Sequence, residues 1–389
     1  MSKKMQSELV AILSDLIALP SPYPPGTSVE ICAYAARRLK KAGYKVETVT
    51  RTRGVDNVVA RMKAKGAKAR KGGPVIAFNA HVDTVGVGER ANWKSDPYKA
   101  LVKGGLVHGL GAGNCKGSMA VQIWLAEEIA RRGGPARGEL IFTFVADEEN
   151  LGPDGMAFLR KTGRVRPDAL ILGAQTENNL IVAERGVMWA RITTRGRAAH
   201  AGNPAAGDNA ILRMMRLVGA LSSYYDKALA RRVSGAMKST VNIGMFHGGH
   251  NTNVVPSACT VEIDRRLLPN EKVKDAFKEL KSVIDGAREP KGTYAVEFLT
   301  GTNGFFAPEN GAAVGAFEAA VKAKTGRKVK FLNATGVSDG RYYADDGIEI
   351  INFGPGSGAQ GHAANESVPI AGMVEAVEIQ LEVVARLLS

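Results

Sequence analysis

The run VIAFNAHVDTV at 75–85 is the feature that most constrains the fold of this chain. Its first four residues are apolar and lean towards β-branched and aromatic types, which is typical of a buried parallel strand. His81 and Asp83 stand where that strand should end, and on extended backbone their side chains point to the same side. A neutral imidazole can bind a divalent metal while a nearby carboxylate fixes its tautomer, although a lone H-x-D pair is more often ordinary structure.

Two further apolar runs end in acidic residues in the same way. GELIFTFVADEEN at 138–150 ends with Glu148 and Glu149, and DALILGAQTENNL at 168–180 carries Glu177. Ligands of open α/β sheets bind at the carboxyl ends of the strands. The sequence therefore predicts an α/β domain with a mostly parallel sheet, flanked by helices, whose strand ends form a site.

A second domain interrupts the first. At 389 residues the chain is too long for one core. Beyond residue 186 the elements follow the order β-α-β-β-α-β, which describes a ferredoxin-like α+β domain. Helix and buried-strand patterns then resume. The predicted boundaries are 1–185 and 301–389 for the discontinuous α/β domain, and 186–300 for the inserted domain.

The net charge of +14 raises the possibility of nucleic-acid binding. The densest basic segment, 61–73, contains no aromatic residue for base stacking. We interpret it as an exposed hairpin-like loop and expect no nucleic-acid partner, while steering of carboxylate-bearing substrates stays compatible with the charge. The glycines at 109–113 have the spacing G-x-G-x-G, which does not fit a dinucleotide-binding turn.

Targeting and redox signals point to the cytoplasm. The first twenty residues read as an amphipathic helix and not as a signal peptide, and no apolar run has the length needed to cross a bilayer. Cys32, Cys115 and Cys259 are odd in number and far apart, so they suggest neither a disulfide framework nor a zinc ribbon.

His362 adds a second histidine, in the segment GPGSGAQGHAANES that follows the strand candidate IEIINF. Together with His81, Glu149 and Glu177 it makes a set of two imidazoles and several carboxylates. This set suits zinc, cobalt or manganese, with open positions for water.

Eight short motifs of the chain resemble those of a known family. HVDTV, GLGAGNCKGSMA, ADEEN, TEN, GRAAHAGNPAAGDNAI, DRRLLP, SDGRYYADDG and GHAANES occur in the order and rough spacing of the M20 metallopeptidases, which include succinyl-diaminopimelate desuccinylase, acetylornithine deacetylase and aminoacylases. The resemblance runs from about residue 8 to the C-terminus.

The resemblance implies roles for the site residues. Asp83 matches the residue that orients the ring of His81, and Glu148 matches the general base that takes a proton from the attacking water and returns it to the leaving amine. The implied ligand pairs are His81 with Glu177 on one metal and Glu149 with His362 on a second.

The inserted domain resembles the family's lid and dimerisation domain. His200 is similar to the histidine that reaches a partner subunit's site and steadies the oxyanion, although by itself it also fits a surface histidine. Asn253 and Arg266 resemble the groups that bind a substrate carboxylate, whereas Arg265 is interpreted as a solvated strand end. Gly354 and Gly356 are expected to frame the same pocket.

Asn114 departs from the family pattern, which has a metal-bridging aspartate at this position. A neutral amide screens the repulsion between two cations less than a carboxylate does. The sequence therefore predicts one firmly bound or labile ion, not a standard binuclear centre. This departure also leaves open a divergent aminohydrolase, similar to 5-nitroanthranilate aminohydrolase, in which water attacks an aromatic ring and removes its amino group.

The leading hypothesis is a metal-dependent hydrolase that cleaves a C–N bond of a small, carboxylate-bearing substrate and forms a homodimer or higher oligomer. A non-catalytic carboxylate or peptide binder is a further alternative. Glu148 argues against it, because a binder has no use for a base beside the metal.

Overall fold

A computed structural model of the chain describes residues 3–65, 70–308, 310–334 and 336–389. These residues form two compact units. Unit 1 comprises Met1–Val182, Ala307–Leu332 and Ser338–Ser389, and unit 2 comprises Ala183–Phe306 and Asn333–Val337.

The described residues form helices and strands along the whole chain. The helices are α1 (Lys3–Ile17), α2 (Val29–Lys41), α3 (Lys116–Arg131), α4 (Met156–Lys161), α5 (Ala210–Leu229), α6 (Val273–Gly286), α7 (Ala312–Thr325) and α8 (Ile370–Leu388). The strands are β1 (Lys45–Thr50), β2 (Asp56–Lys63), β3 (Arg70–His81), β4 (Leu101–Lys103), β5 (Leu106–His108), β6 (Arg137–Val145), β7 (Ala169–Gly173), β8 (Leu180–Ile181), β9 (Ala183–Glu184), β10 (Gly186–Arg195), β11 (Val233–Ser234), β12 (Met237–Lys238), β13 (Thr240–Gly248), β14 (Ala258–Leu267), β15 (Tyr294–Thr302), β16 (Phe305–Phe306), β17 (Phe331–Leu332), β18 (Glu349–Phe353) and β19 (Ser367–Pro369).

Unit 1 is built on an eight-stranded sheet with the order β1-β2-β6-β3-β7-β18-β8-β17. Its four central strands, β6, β3, β7 and β18, are mutually parallel. Apolar runs without alternation form them because both faces of the sheet are covered. The predicted mainly parallel α/β class is confirmed for this unit.

The core of unit 1 lies where helices pack on that sheet. Helices α1, α3 and α8 contribute much of the buried apolar surface. Phe78 of β3 stacks on Phe142 of β6 with ring centroids 5.1 Å apart, and Tyr44 meets Phe142 edge-on at 5.7 Å. Such aromatic contacts fix the register of the two strands whose ends carry the site.

Unit 2 is an antiparallel sheet covered by two helices. The sheet has the order β13-β14-β10-β15, and α5 and α6 bury their apolar faces against it. With the chain order β10-α5-β13-β14-α6-β15, this is the predicted ferredoxin-like arrangement. Edge strand β13 exposes Ile243, Met245 and Phe246, each 41–47% accessible.

The basic segment 61–73 does not form the expected hairpin-like loop. Its start lies on β2 and its end on β3, but β6 separates these two strands in the sheet. A hairpin would require them to be neighbours, so that interpretation is wrong. Residues 66–69 of the segment lie outside the described residues.

Arg265 is not a solvated strand end, as its sequence context had suggested. Its side chain is fully buried. The guanidinium donates to Glu271 at 2.8 Å and to the Ser239 hydroxyl at 2.9 Å. A buried charge needs such partners, and Arg265 is therefore a paired residue inside unit 2.

None of the helices in the described part of the chain combines the length and the apolar character needed to cross a membrane.

Candidate functional site

The carboxyl ends of the parallel strands bring distant parts of the sequence together. His81 is the last residue of β3 and lies opposite Val145, the last residue of β6. Glu148 and Glu149 follow β6 after the two residues Ala146 and Asp147. Because β3 and β6 are parallel neighbours, both strand ends lie at the same edge of the sheet.

His81 is buried, with 6% of its surface accessible. Its Nδ1 lies 2.9 Å from the main-chain carbonyl oxygen of Asp83, so this nitrogen donates its proton. The Asp83 carboxylate lies slightly farther from the same nitrogen, at 3.5 Å, and it accepts a hydrogen bond from the main-chain N–H of Glu149 at 3.1 Å. Asp83 thus fixes the ring, which leaves Nε2 directed at the site.

Asn114 lies at the centre of the site, two residues before helix α3 begins. Its Oδ1 is 3.2 Å from Nε2 of His81. Its Nδ2 donates to the Glu149 carboxylate at 2.7 Å and lies 3.5 Å from Nε2 of His362. The oxygen and the nitrogen of one amide therefore face different histidines, and an amide NH₂ has no free lone pair with which to bind a cation.

Glu149 and His362 contact each other directly. Nε2 of His362 lies 3.0 Å from one carboxylate oxygen of Glu149 and 3.1 Å from the other. The Glu149 side chain is 8% accessible, whereas that of His362 is 53% accessible. This pair forms the solvent-accessible part of the site.

Glu148 lies beside the predicted ligands. Ligand atoms of His81, Glu148 and Glu149 all lie within 4.8 Å of one another, which makes them a possible metal-binding group of the described residues. The Glu148 carboxylate also accepts a hydrogen bond from Arg341 at 3.3 Å. A base in this position is close enough to the ligands to act on a group bound by them.

Glu177 does not belong to a three-residue group of this kind within the described ranges. Its carboxylate accepts a hydrogen bond from the Ser357 hydroxyl at 2.7 Å. Its main-chain N–H donates to Gly356, and that of Asn178 donates to Gly354. A Cβ at Gly354 would lie 2.2 Å from a main-chain oxygen, so the structure gives these two glycines a packing role beside Glu177.

The electrostatics of the site favour positive charge. Burial lowers the pKa of His81, but Cys115, Asp83 and Glu148 together raise it well above its usual value. The hydrogen bond that His362 donates to the Glu149 carboxylate likewise raises the pKa of His362. Burial raises the pKa of the Glu148 carboxyl, against the opposing effect of His81 and Arg341. Two imidazoles held by carboxylates fit a divalent transition metal.

Glu366 was not predicted as a site residue, although it lies inside the matched motif GHAANES. Its buried carboxylate accepts hydrogen bonds from the main-chain N–H groups of Gly111 at 2.7 Å, Gly113 at 3.1 Å and Asn114 at 2.5 Å. It therefore holds the glycine-rich turn that carries Asn114. Sequence patterns do not reveal this role, because the partners are more than 250 residues apart.

We expect Glu366→Gln to lower the free energy of unfolding by about 2–4 kcal/mol, because an amide accepts fewer of the three hydrogen bonds and leaves a buried N–H unpaired. Urea unfolding measures this change. Glu382→Gln is the matched control: its partners Lys324 and Arg386 lie at the surface, so it should cost no more than about 1 kcal/mol. Equal stability of both variants would contradict the supporting role of Glu366.

The predicted site residues of unit 2 lie on two adjoining loops and a strand. His200 is exposed and accepts a hydrogen bond from the Gly202 N–H at 3.0 Å. The carbonyl of Asn253 accepts from the Ala201 N–H at 2.9 Å, so the structure brings these loops together. Arg266 on β14 pairs with Asp264 at 2.8 Å. Their roles towards a substrate stay predictions.

Comparisons with known proteins agree with this architecture. Residues 182–291 match the M20 peptidase dimerisation domain. The chain is 28% identical to succinyl-diaminopimelate desuccinylase of Xanthobacter autotrophicus, over 98% of this chain and 99% of that protein. It is 26% identical to N-formyl-4-amino-5-aminomethyl-2-methylpyrimidine deformylase of Halalkalibacterium halodurans, over 96% and 92% of the two chains.

Solved structures show the same fold. An M20 family metallo-carboxypeptidase from Sulfolobus solfataricus superposes with a TM-score of 0.79 at 18% identity, over 98% of this chain and 99% of that one. A dinuclear metal binding peptidase of the M20 family from Bacillus subtilis gives a TM-score of 0.75 at 17% identity, over 100% and 99%. The matched dimerisation domain, the full-length relatives and the strand-end cluster of histidines and carboxylates support an M20 family metallohydrolase, and the names of the relatives are consistent with hydrolysis of a carbon–nitrogen bond.

Proposed function

We propose that this enzyme hydrolyses the amide bond of a small N-acyl amino acid or small peptide that carries a carboxylate, with Glu148 as general base. The observation that carries the proposal is the approach of Glu148 to His81 and Glu149 within 4.8 Å. The names of the desuccinylase and deformylase relatives support an acyl group on nitrogen as the bond to be cleaved.

The donor set supports zinc, manganese or cobalt. His81, Glu149 and His362 would hold the ion, with Glu177 and the Asn114 oxygen as further donors. When bound, the ion would polarise the scissile carbonyl and lower the pKa of water. We propose one firmly bound or labile ion per chain, because the Asn114 NH₂ group faces Glu149 and His362 and supplies no charge to screen a second cation.

In the proposed reaction, side chains of this protein carry out the proton transfers. Glu148 takes a proton from the attacking water and returns it to the leaving amine. Arg341 donates to Glu148 Oε1, so we assign the proton transfer to Oε2. The proposal also assigns His200 to stabilisation of the oxyanion. It assigns Asn253 and Arg266 to binding of the substrate carboxylate.

We further propose that the enzyme works as a homodimer. Edge strand β13 exposes three large apolar side chains, Ile243, Met245 and Phe246, and an exposed apolar edge of this kind favours pairing with another chain. The match of unit 2 to a peptidase dimerisation domain supports the same assignment.

An aminohydrolase acting on an aminobenzoate is the second candidate. The neutral Asn114 at the centre of the site favours it, because removal of a ring amino group needs water activation at one cation and no paired metal centre. A non-catalytic binder is the third candidate, and the placement of Glu148 beside the ligands argues against it.

The test is hydrolysis by metal-free protein reloaded separately with zinc, manganese and cobalt. The panel contains N-succinyl, N-formyl and N-acetyl amino acids, together with aminobenzoates. We expect turnover of N-acyl amino acids that appears on metal addition and disappears with a chelator. Turnover confined to aminobenzoates would select the second candidate, and binding without turnover of any panel member would select the third.

A further inference from the structure

Arg341 carries a buried charge whose contacts extend beyond the single hydrogen bond to Glu148 used above. It lies in the 3₁₀ turn Asp339–Tyr343, and its side chain is 1% accessible. Burying a guanidinium is costly unless partners compensate for the lost water. The partners of Arg341 therefore indicate what the residue does.

The first partner is Glu148, which Arg341 contacts twice. Nη1 donates to the carboxylate at 3.3 Å, and Nη2 donates to the main-chain carbonyl of the same residue at 3.4 Å. One rigid guanidinium thus spans the side chain and the backbone of Glu148. The planar fork of arginine suits this arrangement, whereas the single ammonium of lysine cannot reproduce it.

Tyr342 and Asp339 hold Arg341 from its other sides. The Tyr342 hydroxyl accepts from Nη2 at 3.0 Å, and the ring of Tyr342 lies under the guanidinium at 4.5 Å. The Asp339 carboxylate lies 3.9 Å from Nη2. These contacts leave the guanidinium little freedom to turn away from Glu148.

Asp339 is in turn anchored to the central strands. It is 2% accessible and accepts a hydrogen bond from Asn79 of β3 at 3.1 Å. The Asn79 side chain accepts one from Thr143 of β6 at 2.9 Å. The chain of polar contacts thus ends on the two strands whose carboxyl ends carry His81 and Glu148.

We propose that Arg341, held by Asp339, is a positioning residue that fixes the Glu148 carboxylate for proton transfer. The proposal rests on the proposed role of Glu148 as general base. A base must lie within hydrogen-bond reach of the proton that it takes. Glu148 lies in the loop that follows β6, next to Asp147, whose φ of 66° is in the left-handed region.

The kinetic test compares Arg341→Met and Arg341→Lys with wild type, using the N-acyl amino acid of highest kcat/KM from the panel above. We expect kcat to fall about 10- to 100-fold in Arg341→Met and about tenfold in Arg341→Lys, because a displacement near 1 Å costs rates of this order. KM and bound metal per chain should stay within about twofold, since positioning acts on the chemical step. Arg38→Lys is the matched control, because Arg38 pairs with Glu127 through a similar fork away from the site and should leave kcat unchanged.

A double-mutant cycle separates positioning from general destabilisation. Glu148→Asp keeps a carboxylate but withdraws it from Arg341. In that background we expect Arg341→Met to lower kcat less than about threefold, because the contact with the carboxylate is already broken and only the hydrogen bond to the main-chain carbonyl remains. An equal loss in both backgrounds overturns the proposal.

The two proposals fail in different ways. If Glu148→Gln keeps wild-type kcat, Glu148 is not the base and the proposed function is wrong. If Glu148→Gln is inactive while Arg341→Met keeps wild-type kcat, the base assignment stands and the positioning role is wrong.

A measurement without substrate covers the case in which Arg341→Met does not fold or no panel member reacts. Crystal structures of wild type and Arg341→Lys locate the Glu148 carboxylate directly. We expect it to move by about 1 Å or more, the displacement at which catalytic geometry is lost. An unmoved carboxylate overturns the proposal even if kcat falls.

Discussion

Glu148→Gln is expected to lower kcat by about 10³-fold, within the range that a positioned general base contributes. The amide has nearly the same size as the carboxylate and keeps an oxygen towards Arg341, which donates to Glu148 at 3.3 Å, but it cannot accept a proton. Metal content should stay nearly unchanged. Steady-state kinetics and metal analysis of the same preparation measure both quantities.

The adjacent Glu149→Gln is the control that separates a base from a ligand. Because Glu149 contacts His362 at 3.0 Å and Asn114 at 2.7 Å, its replacement should lower metal affinity as well as kcat. Loss of metal in Glu148→Gln would make Glu148 a ligand instead of a base. Unchanged turnover in Glu148→Gln would remove it from the mechanism.

Asn114→Asp is expected to raise the metal stoichiometry towards two per chain. A carboxylate at this position would face both His81 and His362 with negative charge, where the amide now presents an NH₂ group to Glu149 and His362. By Coulomb's law, one added negative charge a few ångströms from a divalent cation should strengthen binding of the second ion by more than about tenfold. Titration calorimetry of metal-free protein with zinc, manganese and cobalt measures stoichiometry and affinity.

Asn114→Ala is the matched control for this change, since it removes the amide without adding charge. It should not create a second site. Two tight sites in the wild-type protein would contradict the charge argument, and an unchanged stoichiometry in Asn114→Asp would do the same. One site in the wild type would direct the substrate search towards aminobenzoates as well as N-acyl amino acids.

The sequence alone was sufficient for the fold class and for the edge of the sheet at which the candidate residues lie, whereas the roles of those residues stay predictions. Three apolar runs predict parallel strands whose carboxyl ends lie at one edge of a sheet: one ends at His81, one ends at Glu148 and Glu149, and one precedes His362. The sheet order β6-β3-β7-β18 brings these strand ends together. The family resemblance identified Asn114 as a candidate site residue. Its contacts with His81, Glu149 and His362 emerge only in the tertiary structure.

The errors and omissions concern partners that are distant in sequence. The hairpin-like loop at 61–73 was wrong because β6, from much later in the chain, lies between β2 and β3. Arg265 was assigned to solvent because a charged strand end is usually exposed, whereas Glu271 and Ser239 make its burial possible. Arg341 and Glu366 lay in matched motifs, but their roles depend on contacts that only the tertiary structure brings about.

The dependence of the Asn114 turn on Glu366 has a consequence for the newly made protein. Glu366 and His362 follow the whole of the inserted unit 2 in the chain. While the chain grows on the ribosome, β3 and β6 can form, but the turn at 111–114 has no carboxylate to hold it. Because domains form in the order of their synthesis, we expect a nascent chain to remain unable to retain its metal until Glu366 and His362 have been synthesised.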